Sequence, residues 1–286
     1  MDNYITLKAP AKINLFLDIT GVRNDGYHFI ESVFQTISIY DIVVLKLNDS
    51  NDITISTNDI NVPSNEKNIA YKAAKFFLNY IKTDKIGVDI YIEKNIPNQA
   101  GLGGGSSDAA AVLKGLNYLL DAKLSYEELN NIAVELGADV PFFINGGIAF
   151  ANGIGEILTP LSPISKLHLV VAKGKNGIST VEAYKKIDTQ YNLQHKSSEL
   201  ILQAIKSNDM IKISNHCFNI FEYVTELDDV FNIKKIMLDN NALCSIMSGS
   251  GSAVFGIFPD ENSASKCSDL LSKLYDFSMP CTTEIL

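Results

Sequence analysis

The stretch Pro97-Asn98-Gln99-Ala100-Gly101-Leu102-Gly103-Gly104-Gly105-Ser106-Ser107-Asp108 constrains the fold most, because it packs four glycines into residues 101–105 between segments of different periodicity. Upstream, Val88, Ile90 and Ile92 alternate with Asp89, Tyr91 and Glu93, the period of two that marks a half-buried strand. Downstream, Ala109, Ala110, Ala111, Val112, Leu113, Leu116, Leu119 and Leu120 join helix formers to an apolar stripe, with Ser106 or Ser107 placed to cap the first turn. Glycines at such a junction expose backbone amides at the positive end of the helix dipole, where an anion is favoured. The pattern predicts a phosphate loop over residues 97–108. A flexible connector is the plain alternative, but connectors seldom fall between a strand and a capped helix.

The loop fits neither of the two commonest glycine-loop patterns. No Gly-Lys-Ser/Thr follows it, and Ser106 stands where a dinucleotide fingerprint needs its last glycine. A lysine for the phosphates therefore has to come from elsewhere in the chain.

At 286 residues the chain is long enough for two domains with cores of their own. Its net charge of −9 argues against nucleic acid or an anionic membrane as the main partner, since both reward a basic face. The start, Met1-Asp2-Asn3-Tyr4, shows no basic stretch followed by an apolar one, and no later apolar run approaches a membrane span, so a cytoplasmic protein, or an organellar one after loss of a transit peptide, is expected. Cys217, Cys244, Cys267 and Cys281 lie too far apart for a Cys-x-x-Cys pair and are expected reduced and buried.

Taken in order, Ile5 to Ile19 reads as a strand, a break at Pro10, and a second alternating strand, with Lys12 at the break. A lone lysine is usually a solvated surface charge. Arg23-Asn24-Asp25-Gly26-Tyr27-His28 is an Asp-Gly turn followed by an aromatic and an imidazole, a pair placed to clamp a ring. After a polar stretch with a short strand at Ile53-Thr54-Ile55, Asn68 caps a helix that runs through Phe77. Ser125-Tyr126-Glu127-Glu128 is a capping box for a helix ending at Gly137. Gly137-Ala138-Asp139-Val140-Pro141 then sets one carboxylate in an apolar loop, as a structural cap or as a general base with a tuned pKa. A hairpin around Asn152-Gly153 follows, and Pro160 and Pro163 mark a domain boundary.

The second half reads as a smaller α/β layer. His168 to Ala172 is a strand, Ser179-Thr180-Val181-Glu182 a capping box opening a helix with Tyr184, and helices are expected near 197–206, 209–222 and 228–239. Residues 244–258 read as strand, Gly/Ser loop and strand; Ser248 to Ser252 serve equally well as a tight turn or a phosphate contact. A helix at 264–274 and a strand at 282–285 close the chain.

Pro10-Ala11-Lys12-Ile13-Asn14-Leu15, the glycine loop at 97–108 and Ser248-Gly249-Ser250-Gly251-Ser252 together resemble the GHMP kinase superfamily. Within it, Ala11 to Leu15, Asp25-Gly26-Tyr27-His28 and Gly137 to Pro141 resemble the branch that acts on cytidine-diphosphate-linked methylerythritol in the non-mevalonate isoprenoid route. The resemblance implies an α/β (α+β) two-domain fold: a ribosomal-protein-S5-domain-2-like ATP domain over 1–160 and a ferredoxin-like substrate domain over 161–286. It implies ATP and Mg2+ as cofactors, with no protein ligand to the metal assigned and Ser107 as the candidate. Residues 97–108 would cradle the ATP phosphates, with Asn68 and Lys94 toward the adenosine. Lys12 would stabilise the transferring phosphoryl and keep Asp139, the base, ionised. Tyr27 and Tyr184 would sandwich the cytosine and His28 read its edge, while Asn14, Ser248, Gly249 and Ser250 steady the rest of the acceptor. A different small-alcohol kinase of the superfamily would have no use for the cytosine clamp, and a non-catalytic nucleotide-binding regulator would be free to lose Lys12 or Asp139; both are present.

Overall fold

The computed structural model describes residues 3–83, 85–190 and 192–284. Two long strands, β1 (Tyr4–Val22) and β2 (His28–Asn48), open the chain, followed by β3 (Ile53–Thr57), α1 (Ile69–Tyr80) and β4 (Gly87–Glu93). Then come α2 (Gly104–Leu119), α3 (Tyr126–Leu136), α4 (Val140–Asn145) and the hairpin of β5 (Ile148–Asn152) and β6 (Ile157–Pro160). The remainder is β7 (His168–Lys173), α5 (Thr180–Ile187), α6 (Glu199–Lys206), α7 (Met210–His216), β8 (Phe218–Asn219), a 3-10 turn at Ile220–Tyr223, α8 (Asp228–Asp239), β9 (Cys244–Met247), β10 (Val254–Phe258), α9 (Glu261–Leu271) and β11 (Phe277–Thr282). The strand expected at 282–285 thus ends at Thr282, and Ile285 lies outside the described residues.

The chain divides into two units, one of Met1–Ala11, Ile39–Ile96 and Gly103–Gly146, the other of Lys12–Ser38, Pro97–Leu102 and Gly147–Leu286. In the first, β4 runs antiparallel to the second half of β2, from Ile42↔Glu93 to Asn48↔Gly87, and parallel to β3. Val88, Ile90 and Ile92 are buried while Tyr91 is exposed, so the alternation read from the sequence selects the buried face. Helix α2 packs against this sheet, and its Gly115 lies so close that a Cβ there would come within 2.5 Å of Leu45 Cδ1 and 2.9 Å of Leu7 Cδ1. The capping box of α3 forms as expected, with Ser125 Oγ accepting from the Glu128 N–H and Glu128 accepting from the Ser125 N–H.

In the second unit, β5 pairs with the first half of β2 and with β6, and β8 pairs parallel to β1 at Phe16↔Phe218. The other sheet has the order β11-β7-β10-β9, antiparallel throughout, with α8 and α9 packed on it. Its elements follow as β7, α8, β9, β10, α9, β11, so the last, first, third and second strands of a β-α-β-β-α-β run stand side by side, as in ferredoxin-like folds. All four cysteines are free and buried, as expected.

Four local expectations are corrected. The break at Pro10 does not occur. Backbone amides two apart face the same way, and the Lys12 N–H leaves the ladder to donate to Leu102 O at 2.9 Å, so Pro10 lacks its donor on the flank where β1 next meets a strand only at Phe16. Neither Ser106 nor Ser107 caps α2: the helix starts earlier, and its N-cap is Gly103 in the left-handed region at φ +72°, with no side-chain cap. Ser179 precedes α5 but makes no side-chain capping bond. The helix expected over 209–222 stops at His216, because Phe218 and Asn219 join the edge of β1.

Gly115→Val tests the helix-on-sheet contact. Alanine there would gain about 1 kcal/mol of helix propensity over glycine, but valine overpacks against fully buried Leu45 at a cost of about 1–3 kcal/mol. A net loss of stability is expected, read as a lower urea midpoint at unchanged m-value.

Candidate active site

In the first unit, the second half of the glycine loop becomes the start of α2. The left-handed Gly103 N-cap brings no side chain to the first-turn amides, which a helix leaves without intrahelical partners. Space at Gly104 is tight: a Cβ there would lie 3.0 Å from Ile96 Cγ2 and 3.3 Å from Lys94 Nζ. Beneath it, the Lys94 side chain, 5% exposed, donates to Asp41 and, at 2.7 Å, to Asp108 Oδ2. Burial alone would lower the Lys94 pKa, but Asp108 and Asp41 outweigh it and raise it. Burial pushes the Asp108 carboxyl up to about 8 against the pull of Lys94, with the charge of Asp41 adding to the push. Asp108 Oδ1 and Ser107 Oγ are buried without a hydrogen-bond partner. Asn68 caps α1, its Oδ1 accepting from the Ala70 N–H at 2.9 Å and its Nδ2 donating to Pro63 O at 2.8 Å. Nearby in the chain, Ile53 to Ile55, Ser64 to Lys67 and Tyr71 line a cavity of about 440 Å3. Asp139 stands at the N-cap of α4, half-buried, and its side chain makes no capping bond, which removes the cap reading.

In the second unit, residues 97–102 interlock with the Ser248–Ser252 loop. Ser248 Oγ donates to Gly101 O at 3.0 Å and the Ala253 N–H to Ala100 O at 3.1 Å. A Cβ on Gly101, itself at φ +72°, would lie 2.0 Å from Ser248 O, and one on Gly249 would lie 3.0 Å from Gly101 Cα. Asn219 props this loop, its Nδ2 donating to Met247 O at 2.6 Å and Gly249 O at 2.8 Å. Ser250 Oγ meets Thr180 Oγ1 at 3.0 Å.

The same unit holds Lys12 and residues 27, 28 and 184, expected as a ring clamp. Lys12 is 4% exposed, so it is not the solvated surface charge that a lone lysine usually is. Its Nζ donates to Asn14 Oδ1 at 2.7 Å and stands 4.8 Å over the Phe34 ring; Asn14 Nδ2 donates to Ser32 Oγ, which donates to Phe16 O. Tyr27 projects from the Asp25-Gly26 turn and is 59% exposed. His28 is buried, its Nε2 donating to Asp188 Oδ1 at 2.7 Å and its ring 4.7 Å from that of Tyr184, which in turn meets Phe221 edge-on at 4.9 Å. Asp41, Asp188 and Asn219 went unremarked in the sequence because each acts on a partner far along the chain, where no local period records it.

The titration of Asp108 gives a prediction with a definite sign. A carboxyl raised in the folded state contributes stability that is complete below its ordinary value of 3.8 and lost as pH rises through about 8. Between those values one proton gives a slope of at most about 1.4 kcal/mol per pH unit. Asp108→Asn, which mimics the neutral acid, should flatten that part of the stability curve in urea unfolding followed from pH 4 to pH 8.

Comparison with known proteins accords with this geometry. Residues 68–147 match the GHMP kinases N terminal domain and residues 194–276 the GHMP kinases C terminal domain. The chain is 47% identical over 272 residues to 4-diphosphocytidyl-2-C-methyl-D-erythritol kinase of Clostridium tetani, covering 94% of this chain and 96% of that one. It is 45% identical to the enzyme of the same name from Clostridioides difficile, covering 92% and 89%. Among solved structures, a 4-(cytidine 5'-diphospho)-2C-methyl-D-erythritol kinase superposes with TM-score 0.81 at 32% identity, covering 98% of this chain and 99% of that one. Mevalonate kinase of L. major reaches TM-score 0.81 at 17% identity over 100% and 98%, a likeness of fold alone. The chain belongs to the 4-diphosphocytidyl-2-C-methyl-D-erythritol kinase family, within the GHMP kinases.

Proposed function

We propose that the protein transfers the γ-phosphoryl group of ATP to the 2-hydroxyl of 4-(cytidine 5'-diphospho)-2-C-methyl-D-erythritol, giving the 2-phosphate and ADP, in the non-mevalonate route to isopentenyl diphosphate. The observation that carries this reading is the identity of 47% over 94% of the chain with a kinase of that name. Residues 1–160 form the ATP domain and 161–286 the substrate domain, with Asn14, Tyr27 and His28 of the first also meeting the acceptor. A cytoplasmic location accompanies it, supported by the four free, buried cysteines; no helix among the described residues is long and apolar enough to cross a membrane.

In phosphoryl transfer the protein chiefly positions groups and offsets charge. Residues 97–108 receive the phosphates on backbone amides, and the adenosine lies toward Asn68, Lys94 and the adjacent cavity. Lys12, oriented by Asn14 and Phe34, stabilises charge that grows on the transferring group. Asp139 accepts the hydroxyl proton. The buried Ser107 hydroxyl, which has no hydrogen-bond partner, is the candidate to meet a magnesium ion that accompanies ATP. Bound there, the ion would neutralise phosphate charge.

Tyr27 and Tyr184 take the cytosine between them, and Ser248, Gly249 and Ser250 with Asn14 steady the methylerythritol diphosphate. Because the Asp188 carboxylate can only accept, His28 Nε2 carries the hydrogen, and a neutral ring then offers Nδ1 as an acceptor. That acceptor suits the amino group of cytosine and not the carbonyl of uracil.

Asp139→Asn should lower kcat by about 10²-fold or more while ATP binding by calorimetry persists; near-normal turnover would return Asp139 to a purely structural role. His28→Ala and Tyr184→Ala should raise KM for the cytidine substrate with little change for ATP, and His28→Ala should also narrow the preference for cytidine over uridine substrate. Steady-state kinetics on both acceptors decides this.

A further inference from the structure

We propose that Asp41 is a positioning residue for ATP, holding the two ends of the phosphate loop in register through a buried chain of the Asp41, Lys94 and Asp108 side chains. The inference rests on the reading that residues 97–108 take the ATP phosphates. Asp41 lies on β2 and is fully buried. Its Oδ1 accepts from two successive amides, Asn95 N at 2.6 Å and Ile96 N at 2.8 Å, the last residues before the loop begins at Pro97. Its Oδ2 accepts from Lys94, whose ammonium reaches on to Asp108, in the helix that the loop leads into. One carboxylate thus grips the entrance of the loop directly and its exit through one lysine. The grip is reinforced where Asn95 Nδ2 donates to Tyr40 O at 3.0 Å and the Lys94 N–H donates to Asn58 Oδ1 at 2.7 Å.

Packing alone would join these segments at less desolvation cost, since a buried ionic chain is often no more stabilising than apolar side chains of the same volume. What directed bonds add is angle and distance. Gly104, the first residue of α2, has clearance of only 3.0 Å for a Cβ against Ile96, so a shift of the 94–96 turn is transmitted to the amides that would meet phosphate. Misplacement of such a cradle weakens its amide contacts with the phosphates together, which reads as lost ATP affinity.

The test compares Asp41→Asn, Asp41→Glu, Gly103→Val and a core control in the same unit, Phe77→Leu, by steady-state kinetics on both substrates, ATP calorimetry and thermal melting of the full chain. Asp41→Asn should raise KM and Kd for ATP by about 10-fold or more, with kcat and acceptor KM within about twofold. Asp41→Glu keeps the charge but displaces the amides, so it should move ATP affinity in the same direction. Unchanged ATP affinity in both Asp41 variants, with Gly103→Val impaired, overturns the proposal. So does an equal loss in Phe77→Leu at a matched fall in melting temperature, which would mark general loosening. If Gly103→Val also binds ATP normally, the phosphate-loop reading itself fails and the proposal falls with it. Should neither Asp41 variant fold, amide hydrogen exchange of the wild type decides: the amides of residues 95–96 and 104–107 should gain protection together when ATP is added, and independent behaviour overturns the proposal.

Discussion

The approach of Gly101 to Ser248 is the contact on which the second unit's share of the site depends. A Cβ at Gly101 would stand 2.0 Å from the Ser248 carbonyl oxygen, inside any permissible distance, so two backbones 147 residues apart meet with nothing between them. Its hydrogen bonds, Ser248 to Gly101 and Ala253 to Ala100, are of the neutral kind that contribute about 1 kcal/mol each. Their larger effect is geometric, since they fix the entrance of the glycine loop to a strand turn that Asn219 already holds from beneath. Small residues in both loops are the condition for that fit.

Two buried lysines show how one side-chain type is put to two uses. Lys94 is enclosed by the side chains of Asp41 and Asp108, so that its ammonium is engaged inside the first unit and the ensemble acts as a brace. Lys12 meets the amide oxygen of Asn14 and the face of Phe34, contacts that aim its ammonium. Sequence offers no way to tell these apart, because both are single lysines in strand-like surroundings.

Features with a local physical cause were legible in the sequence. The alternation of β4, the Asn68 cap, the Ser125/Glu128 capping box and the strand, loop and strand of residues 244–258 each arise from neighbours within a few residues, and all are present. What stayed hidden was decided at long range. β1 passes through Pro10 because of what lies on its flank, and the start of α2 is set by a left-handed glycine rather than by the serines that local propensity favours. Asp41 sits in an ordinary strand pattern, and Asp188 meets His28 across 160 residues, so neither leaves a periodic trace.

The ferredoxin-like run of the second unit is interrupted between β7 and α8, and that interruption carries Thr180, Tyr184, Asp188 and Asn219. The sheet β11-β7-β10-β9 pairs through its own strands, with none drawn from the described residues among 174–227. The proposed cytosine contact Tyr184 thus rides on an insertion that the pairing of this sheet does not use, so the insertion can change without breaking a strand pair.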